Sequence, residues 1–334
     1  MANILITGGT GFIGVPLVKN LYNLGHNLKL LIRKTSNTEA FQDLNNIEYV
    51  IGDIRDLDSL SQIANKIDII YHLAANTQIW SKDKSIYEEI NISGSENIAK
   101  VALEKNILLI FISSFFAIGP YNCGEEPPNF ETHERDLDYF MDYEKSKCDS
   151  TKLIQDYKEK GLKCIIFYPG FVYGPGDLNF YGKLTIDLIL GKLLGVPKTS
   201  VSNFSMAYLY DIVEPMINVI GRNELIGNEY FLGGETVSTI DYFDSVAKIA
   251  GVKKPRKFPL SIALLYGRLC ELRAKISKNR TPYITCALMK MATYDWAYSS
   301  QKAIEDLGYA ITPFKEGLEK TVEWYMDYIE KGTK

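Results

Sequence analysis

The sequence predicts an α/β protein: a doubly wound parallel sheet with a smaller, mostly helical C-terminal substrate domain. Three observations lead there. Short runs rich in Val, Ile and Leu alternate with segments of helical length through the first half of the chain. The runs are apolar almost throughout, as strands covered on both faces of a parallel sheet must be. The first run also feeds directly into a glycine-rich turn that opens a helix.

Taken in order, Asn3–Thr7 is the first strand and Phe12–Leu24 the first helix. Strands follow at Leu28–Arg33, Ile47–Ile51, Ile69–Leu73, Leu108–Ser113 and Cys164–Tyr168, with longer helices at Lys84–Glu104 and Met141–Lys160. Gly119–Arg135 is a polar, acidic stretch with three prolines, and at that length it reads as an active-site flap. After Gly174 the rhythm becomes more helical, with short strands at Glu229–Leu232 and Thr236–Ser238. Helices begin near Asp211 and Thr239, and an amphipathic one spans Pro313–Lys331. Residues 1–174 are therefore assigned to a dinucleotide-binding domain, with room for later segments to return to it, and 175–334 to a substrate-binding domain.

Composition narrows the class. Of 334 residues, 46% are hydrophobic and 23% charged, an ordinary globular balance, and the net charge of −4 argues against nucleic acid or an anionic membrane as the main partner. Five cysteines, odd in number and widely spaced, suit reduced thiols and give no metal signature. No run of about 18 uncharged apolar residues suggests a membrane span. The glycine turn starts at Gly8, leaving no room for a signal peptide before it, so a cytoplasmic setting is expected.

The turn reads Gly8-Gly-Thr10-Gly11-Phe12-Ile13-Gly14 between a strand and a helix, the context a dinucleotide pyrophosphate requires. Gly8 allows the tight turn, Gly11 lets backbone approach the pyrophosphate, and Gly14 lets helix pack against strand. The phosphates would rest on the amides near Phe12 and Ile13. About 20 residues on, an NAD site usually carries a carboxylate for the ribose 2′-hydroxyl. Here Arg33, Lys34 and Ser36 stand at the end of the second strand, and a guanidinium suits a 2′-phosphate. NADP(H) is therefore the preferred cofactor, with NAD(H) as the alternative. Asp53, with Ile54 beside it, is placed to face the adenine, and Leu73-Ala74-Ala75 to lie against the cofactor.

Tyr143 and Lys147 are one helical turn apart on the same face. A phenol is a poor proton donor or acceptor at neutral pH until nearby cations stabilise the phenolate. Lys147 supplies one, and Tyr143 is then the general acid or base. Ser114, at the end of the fifth strand, is assigned to hydrogen-bond the substrate oxygen.

With Gly52-Asp53-Ile-Arg-Asp56, His72-Leu-Ala-Ala75, Ser113-Ser114, Tyr143-x-x-Ser-Lys147 and Pro169-Gly-Phe-Val-Tyr-Gly-Pro-Gly-Asp177, the chain resembles the extended short-chain dehydrogenase/reductase family over nearly its whole length. The resemblance implies a Rossmann domain, a bound nicotinamide cofactor and often a homodimer built on two helices per subunit. It also implies that Pro169, Gly170, Phe171 and Val172 line the nicotinamide. Leu31-Ile-Arg33-Lys-Thr-Ser36, Ile79-Trp80 and Lys302-Ala-Ile-Glu-Asp-Leu-Gly-Tyr309 are similar to the dihydroflavonol reductase-like branch, whose relatives include hopanoid-associated sugar epimerases.

Two departures bear on the substrate. The resemblance leads one to expect an arginine to clamp a nucleotide-sugar diphosphate, but Ser202–Tyr208 contains no cation, and Phe115-Phe116 stand where dehydratases carry an acidic pair. Phe115, Phe116, Phe171, Phe180, Tyr181 and Phe204 read equally well as an apolar pocket or as core. The expected activity is hydride transfer to or from a carbonyl or secondary alcohol on a mainly apolar small molecule. A nucleotide-sugar epimerase is the alternative, and a cofactor-sensing protein without chemistry a third. Phe258–Ser277 is expected to pack as a helix on the substrate domain rather than to touch a membrane.

Overall fold

The computed structural model describes residues 1–198, 202–277 and 281–332. Its centre is a parallel sheet of seven strands: β1 (Asn3–Thr7), β2 (Asn27–Ile32), β3 (Ile47–Ile51), β4 (Ile69–His72), β5 (Leu108–Ile112), β6 (Cys164–Pro169) and Glu229–Leu232. The order across the sheet is Glu229–Leu232, β6, β5, β4, β1, β2, β3, so the chain winds outward in both directions from the edge shared by β1 and β4. The predicted strands agree with these bounds to within a residue. Their apolar continuity has its cause in two-sided burial: Ile4, Leu5 and Ile6 are buried, as is every residue of β4 and β6.

Glu229–Leu232 is a later segment that returns to the first sheet. It lies in sequence beyond residue 174, yet it pairs in parallel with β6 from Glu229↔Ile166 to Leu232↔Pro169. Helix Leu209–Asn218 likewise packs on helix α1 (Gly14–Asn23), so this part of the chain returns to the first sheet.

Two neighbouring helices on one face carry Asn91 and Tyr143. Residues Ser85 to Glu104 run continuously, but Glu88–Ser93 is a π-helical insert between α-helical turns. The sequence pattern predicted an unbroken α-helix there. A π turn re-aims side chains relative to the flanking turns, and here it carries the buried Asn91. Helix α2 (Asp142–Glu159) packs beside it and brings Tyr143 to the mouth of the sheet.

The remaining elements form the smaller part over the carboxyl ends of the strands. A three-stranded sheet joins Phe171–Tyr173, Asn203–Tyr208 and Thr236–Ser238. Helices Phe180–Ile189, Thr239–Ile249, Leu260–Ile276 and Cys286–Met291 pack around it, and Phe314–Gly332 closes over Phe180–Ile189 and Thr239–Ile249. Two apolar cores result, one on each side of the main sheet.

Candidate active site

A cleft of about 630 Å³ runs across the carboxyl ends of the main-sheet strands and reaches under the helical part. Its floor is the glycine turn. Gly8 has φ +74°, and a Cβ there would lie 2.6 Å from the amide nitrogen of Ala74. A Cβ on Gly14 would lie 2.3 Å from the Gly8 carbonyl oxygen, whereas at Gly11 it would meet only that oxygen, at 3.2 Å. The turn is thus closed toward the sheet and open toward the cleft. Helix α1 starts at Gly14 rather than Phe12, so the amides of Phe12 and Ile13 belong to the turn before it. Thr10, Phe12, Ile13, Leu73, Ala74 and Ala75 all line the same cleft.

At one end the walls are polar. Arg33 and Ser36 line the cleft, held by the Arg33 amide donating to Ser36 Oγ at 3.0 Å. Lys34 does not line it: the chain turns after Ile32, leaving this side chain exposed to solvent. Asp53 and Ile54 do, but the Asp53 carboxylate is gripped by Arg55 through Nε at 3.0 Å and a second guanidinium nitrogen at 2.8 Å. Hydrogen bonding to Arg55 holds that carboxyl below its ordinary range. Arg55 lines the cleft too and bonds Glu89 at 2.9 Å. The sequence reading did not single Arg55 out, although its spacing two residues after Asp53 was the available signal.

At the other end stand Ser114, Tyr143 and Lys147. Ser114 caps the helical turn Phe115–Ile118, its Oγ accepting from the Phe116 amide at 3.3 Å. The Tyr143 phenol is pushed up to about 12 by burial, while a hydrogen bond with Ser114 opposes that shift. Lys147 is buried, donates to the Ile112 carbonyl at 2.9 Å and lies 5.1 Å over the Phe111 ring. Burial lowers its ammonium to about 8. His72 is neutral: burial, then the nearby Lys147 charge, lower it to about 3, and both ring nitrogens contact hydroxyls, Thr7 at 2.7 Å and Ser95 at 3.0 Å. It braces β4 against its neighbours.

Three further residues shape this end. The π-helical Asn91 donates to Ser146 Oγ at 2.8 Å and to the Asn76 carbonyl at 3.0 Å, and accepts from the Asn76 amide at 2.7 Å. It thereby ties the loop after β4 to the Tyr143 helix. Asn76 lines the cleft with its side-chain nitrogen buried and without a hydrogen-bond partner among the described residues, and such a group is costly unless a ligand satisfies it. Glu144, fully buried, accepts from Arg135 at 2.6 Å and from the Phe140 amide at 2.7 Å, which fastens the Gly119–Arg135 stretch to the first turn of α2.

The wall beyond Tyr143 is mainly apolar, with Asp177 and Asn179 as polar members beside Phe180. Pro169, Gly170, Phe171 and Val172 line the cleft, as do Phe115, Phe116, Phe180 and Tyr181. Phe116 meets the Tyr143 ring edge-on at 5.7 Å, and Phe171 meets Tyr181 at 4.3 Å. Phe204 is the correction in this set. It is buried against Phe115 and Phe171 and forms a bridge with Trp296, so it supports the wall from behind without reaching the cleft. Met141, Leu288 and Met291 complete the apolar lining, and nothing in their sequence neighbourhoods marked them. Arg33, Arg55 and Lys147 are the cations among the described lining residues, and the first two stand at the polar end.

A glycine cradle at a sheet's switch point, the Arg33 guanidinium at the end of its second strand and a Tyr/Lys pair facing it define a dinucleotide-dependent α/β enzyme. The chain belongs to the NAD dependent epimerase/dehydratase family, whose model matches residues 4–228. It is an NAD(P)-dependent extended short-chain dehydrogenase/reductase. A Synechocystis protein provisionally named dihydroflavonol 4-reductase is 26% identical over 330 residues, covering 97% of this chain and 94% of that one. Sterol demethylase protein B of Methylococcus capsulatus is 24% identical, covering 97% of this chain and 98% of that one. The crystal structure of gox2253 superposes with a TM-score of 0.81 at 28% identity, covering 98% of this chain and 99% of that one.

Proposed function

We propose that this enzyme moves a hydride between a bound nicotinamide and a carbonyl or secondary alcohol on a mainly apolar small molecule, with NADP(H) as the preferred cofactor. One observation carries the reading: beyond Tyr143 the cleft is walled mainly by aromatic and aliphatic side chains, with Asp177 and Asn179 beside Phe180 and no cation there among the described residues. A nucleotide diphosphate needs paired cations when it is desolvated. A ketone on an apolar body needs only this wall and a proton source. The M. capsulatus relative, named for sterol chemistry, and the provisional reductase name of the Synechocystis relative support the same class.

The cofactor supplies the hydride when bound, and the chain's residues fit it. Gly8, Gly11 and Gly14 would shape the floor for the pyrophosphate, and the Arg33 guanidinium and Ser36 hydroxyl would hold a 2′-phosphate. Asp53 and Ile54 would serve the adenine, and Leu73–Ala75 and Pro169–Val172 the rest of the cofactor. Lys147 would hold ribose hydroxyls and stabilise the Tyr143 phenolate. Tyr143 delivers the proton to the nascent alkoxide, or removes it in the oxidising direction, while Ser114 hydrogen-bonds the same oxygen. Phe115, Phe116, Phe180 and Tyr181 hold the substrate body. We assign residues 1–174, with the returning segments, to cofactor binding and most of the remainder to substrate binding. We further propose a cytoplasmic homodimer packed through the Ser85–Glu104 and α2 helices.

The test is a Tyr143→Phe variant assayed with NADPH and a panel of apolar ketones alongside UDP-sugars. Loss of about 10²–10⁴ in turnover is expected, with NADPH binding kept. Full turnover by the variant would refute the role of Tyr143. Conversion of a UDP-sugar without net NADPH consumption would refute the reductase reading.

A further inference from the structure

We propose that helix Leu260–Ile276 docks this protein onto an anionic lipid bilayer surface. The helix packs on the rest of the molecule through Gly267 and Ala274, its buried positions, and through the half-buried Leu260, Ala263 and Leu264; a Cβ on Gly267 would lie 3.1 Å from the Cys286 amide nitrogen. On the opposite side Ile262, Leu265, Leu269, Leu272 and Ile276 are each 51% or more exposed. Their three- and four-residue spacing puts them in one stripe along the helix. Single exposed leucines are ordinary, but a continuous stripe on one helix marks an interaction surface.

Charge decides what covers it. At 100° per residue, Arg268 and Lys275 border the stripe on one side and Arg273 on the other, all exposed. The helix's one acid, Glu271, points away and accepts from the Cys286 amide at 2.7 Å. Among the described residues no ion pair engages the three cations, although Arg268 also hydrogen-bonds the Cys286 thiol. A second copy laid on this face would set cation against cation, whereas an anionic headgroup layer complements both flanks while the stripe enters the acyl boundary. Near the helix's N-terminal end Leu194 is also exposed, and the Val196 amide donates to the Arg256 carbonyl at 2.8 Å. Among the described residues no helix is long and apolar enough to cross a membrane, so the contact is interfacial. The chain's net charge of −4 is no obstacle, because the local surface has the opposite sign.

The docking helix itself lies over a segment that lines the apolar end of the cleft. Helix Leu260–Ile276 packs on Cys286–Met291, whose Leu288 and Met291 line that cleft, and Lys82 of the neighbouring loop donates to the Ser277 carbonyl. Docking itself does not depend on the substrate class proposed above.

The test is co-sedimentation of the full chain with vesicles of phosphatidylcholine, with and without phosphatidylserine, read as bound protein and not as turnover. The proposal expects binding to the phosphatidylserine vesicles, weakened by salt. Removal of the cations in Arg273→Ala/Lys275→Ala should weaken it roughly 25-fold, and Leu265→Asp/Leu269→Asp should abolish it. Both variants alter exposed side chains, and unchanged melting would verify their fold. Three outcomes overturn the proposal: no binding to either vesicle, equal binding by the Leu265→Asp/Leu269→Asp variant, or an oligomer that this variant converts to monomer in light scattering. The last would show that a second copy covers the stripe.

Discussion

The Arg135 guanidinium donates to the Glu144 carboxylate at 2.6 Å, immediately beside Tyr143, and joins the acidic flap to the helix that carries the phenol. Glu144 is fully buried and also accepts from the Phe140 and Met141 amides at 2.7 and 3.2 Å. Burial raises this carboxyl above its ordinary range even though Arg135 and the two amides pull it down. One side chain therefore caps α2, fixes the flap and orients the turn on which Tyr143 sits.

Removing Arg135 leaves a buried carboxylate without its cation. Arg135→Met is expected to cost about 3 kcal/mol of stability near neutral pH. The sign of the pH effect follows from the raised carboxyl. A folded carboxyl titrating above its unfolded value binds more protons than the unfolded chain, so stability falls as pH rises between the two values. In the variant that gap widens, so its deficit against wild type should shrink on acidification toward about pH 5. Urea unfolding of both proteins at several pH values measures it, and a deficit independent of pH would contradict the argument.

Lys147 should cost stability while it serves chemistry. Its folded value is about 8, below the lysine reference of 10.5. Below about 8 it is charged in both states and the desolvation cost is fully present. Between about 8 and 10.5 the unfolded chain keeps the proton that the folded one has lost, so stability rises with pH. Lys147→Met is therefore expected to be inactive yet more stable than wild type by about 1–3 kcal/mol near neutral pH, and less so near pH 10. Denaturant titrations at those two pH values decide it.

Arg33→Ala should weaken NADPH binding by about 10–100-fold and leave NADH binding within about twofold, because only NADPH carries the charged group that the guanidinium holds. Fluorescence titration with both cofactors measures the ratio. Equal losses would mean that Arg33 shapes the loop and does not read the 2′-phosphate.

Gly14→Ala should abolish cofactor binding, since the new Cβ would fall 2.3 Å from the Gly8 oxygen and within 2.7 Å of the Gly9 backbone. Gly11→Ala faces only the 3.2 Å contact and should fold. Its loss should instead appear as weaker binding of either cofactor. Circular dichroism melting beside titration separates the two cases.

Much of this was legible in the sequence because local pattern carried it. Strand bounds such as Ile47–Ile51 follow from apolar continuity, and the glycine spacing follows from backbone geometry that few other sequences satisfy. What escaped depends on pairing across the chain. Glu229–Leu232 reads as a strand, but nothing in its composition says that it joins β6. Phe204 and Phe116 look alike in sequence, yet one is packed behind the wall and the other stands on it. Asn91 was hidden because the π insert that aims it has no strong local signature. Arg55 stands two residues after Asp53, but its bridge from Asp53 to Glu89, 34 residues on, exists only in the fold.

The late arrival of the seventh strand also sets an order of events during synthesis. Every residue of β6 is buried, and one of its edges is covered only by Glu229–Leu232, about 60 residues downstream. At roughly 5–20 residues per second, a nascent chain holds that apolar edge open for several seconds before its partner emerges. The interval exposes an unpaired strand edge, the kind of template on which aggregation begins. A chain ended near residue 174 would keep that edge permanently, so the glycine turn and the Tyr/Lys pair, complete in sequence by then, would belong to a fragment prone to self-association.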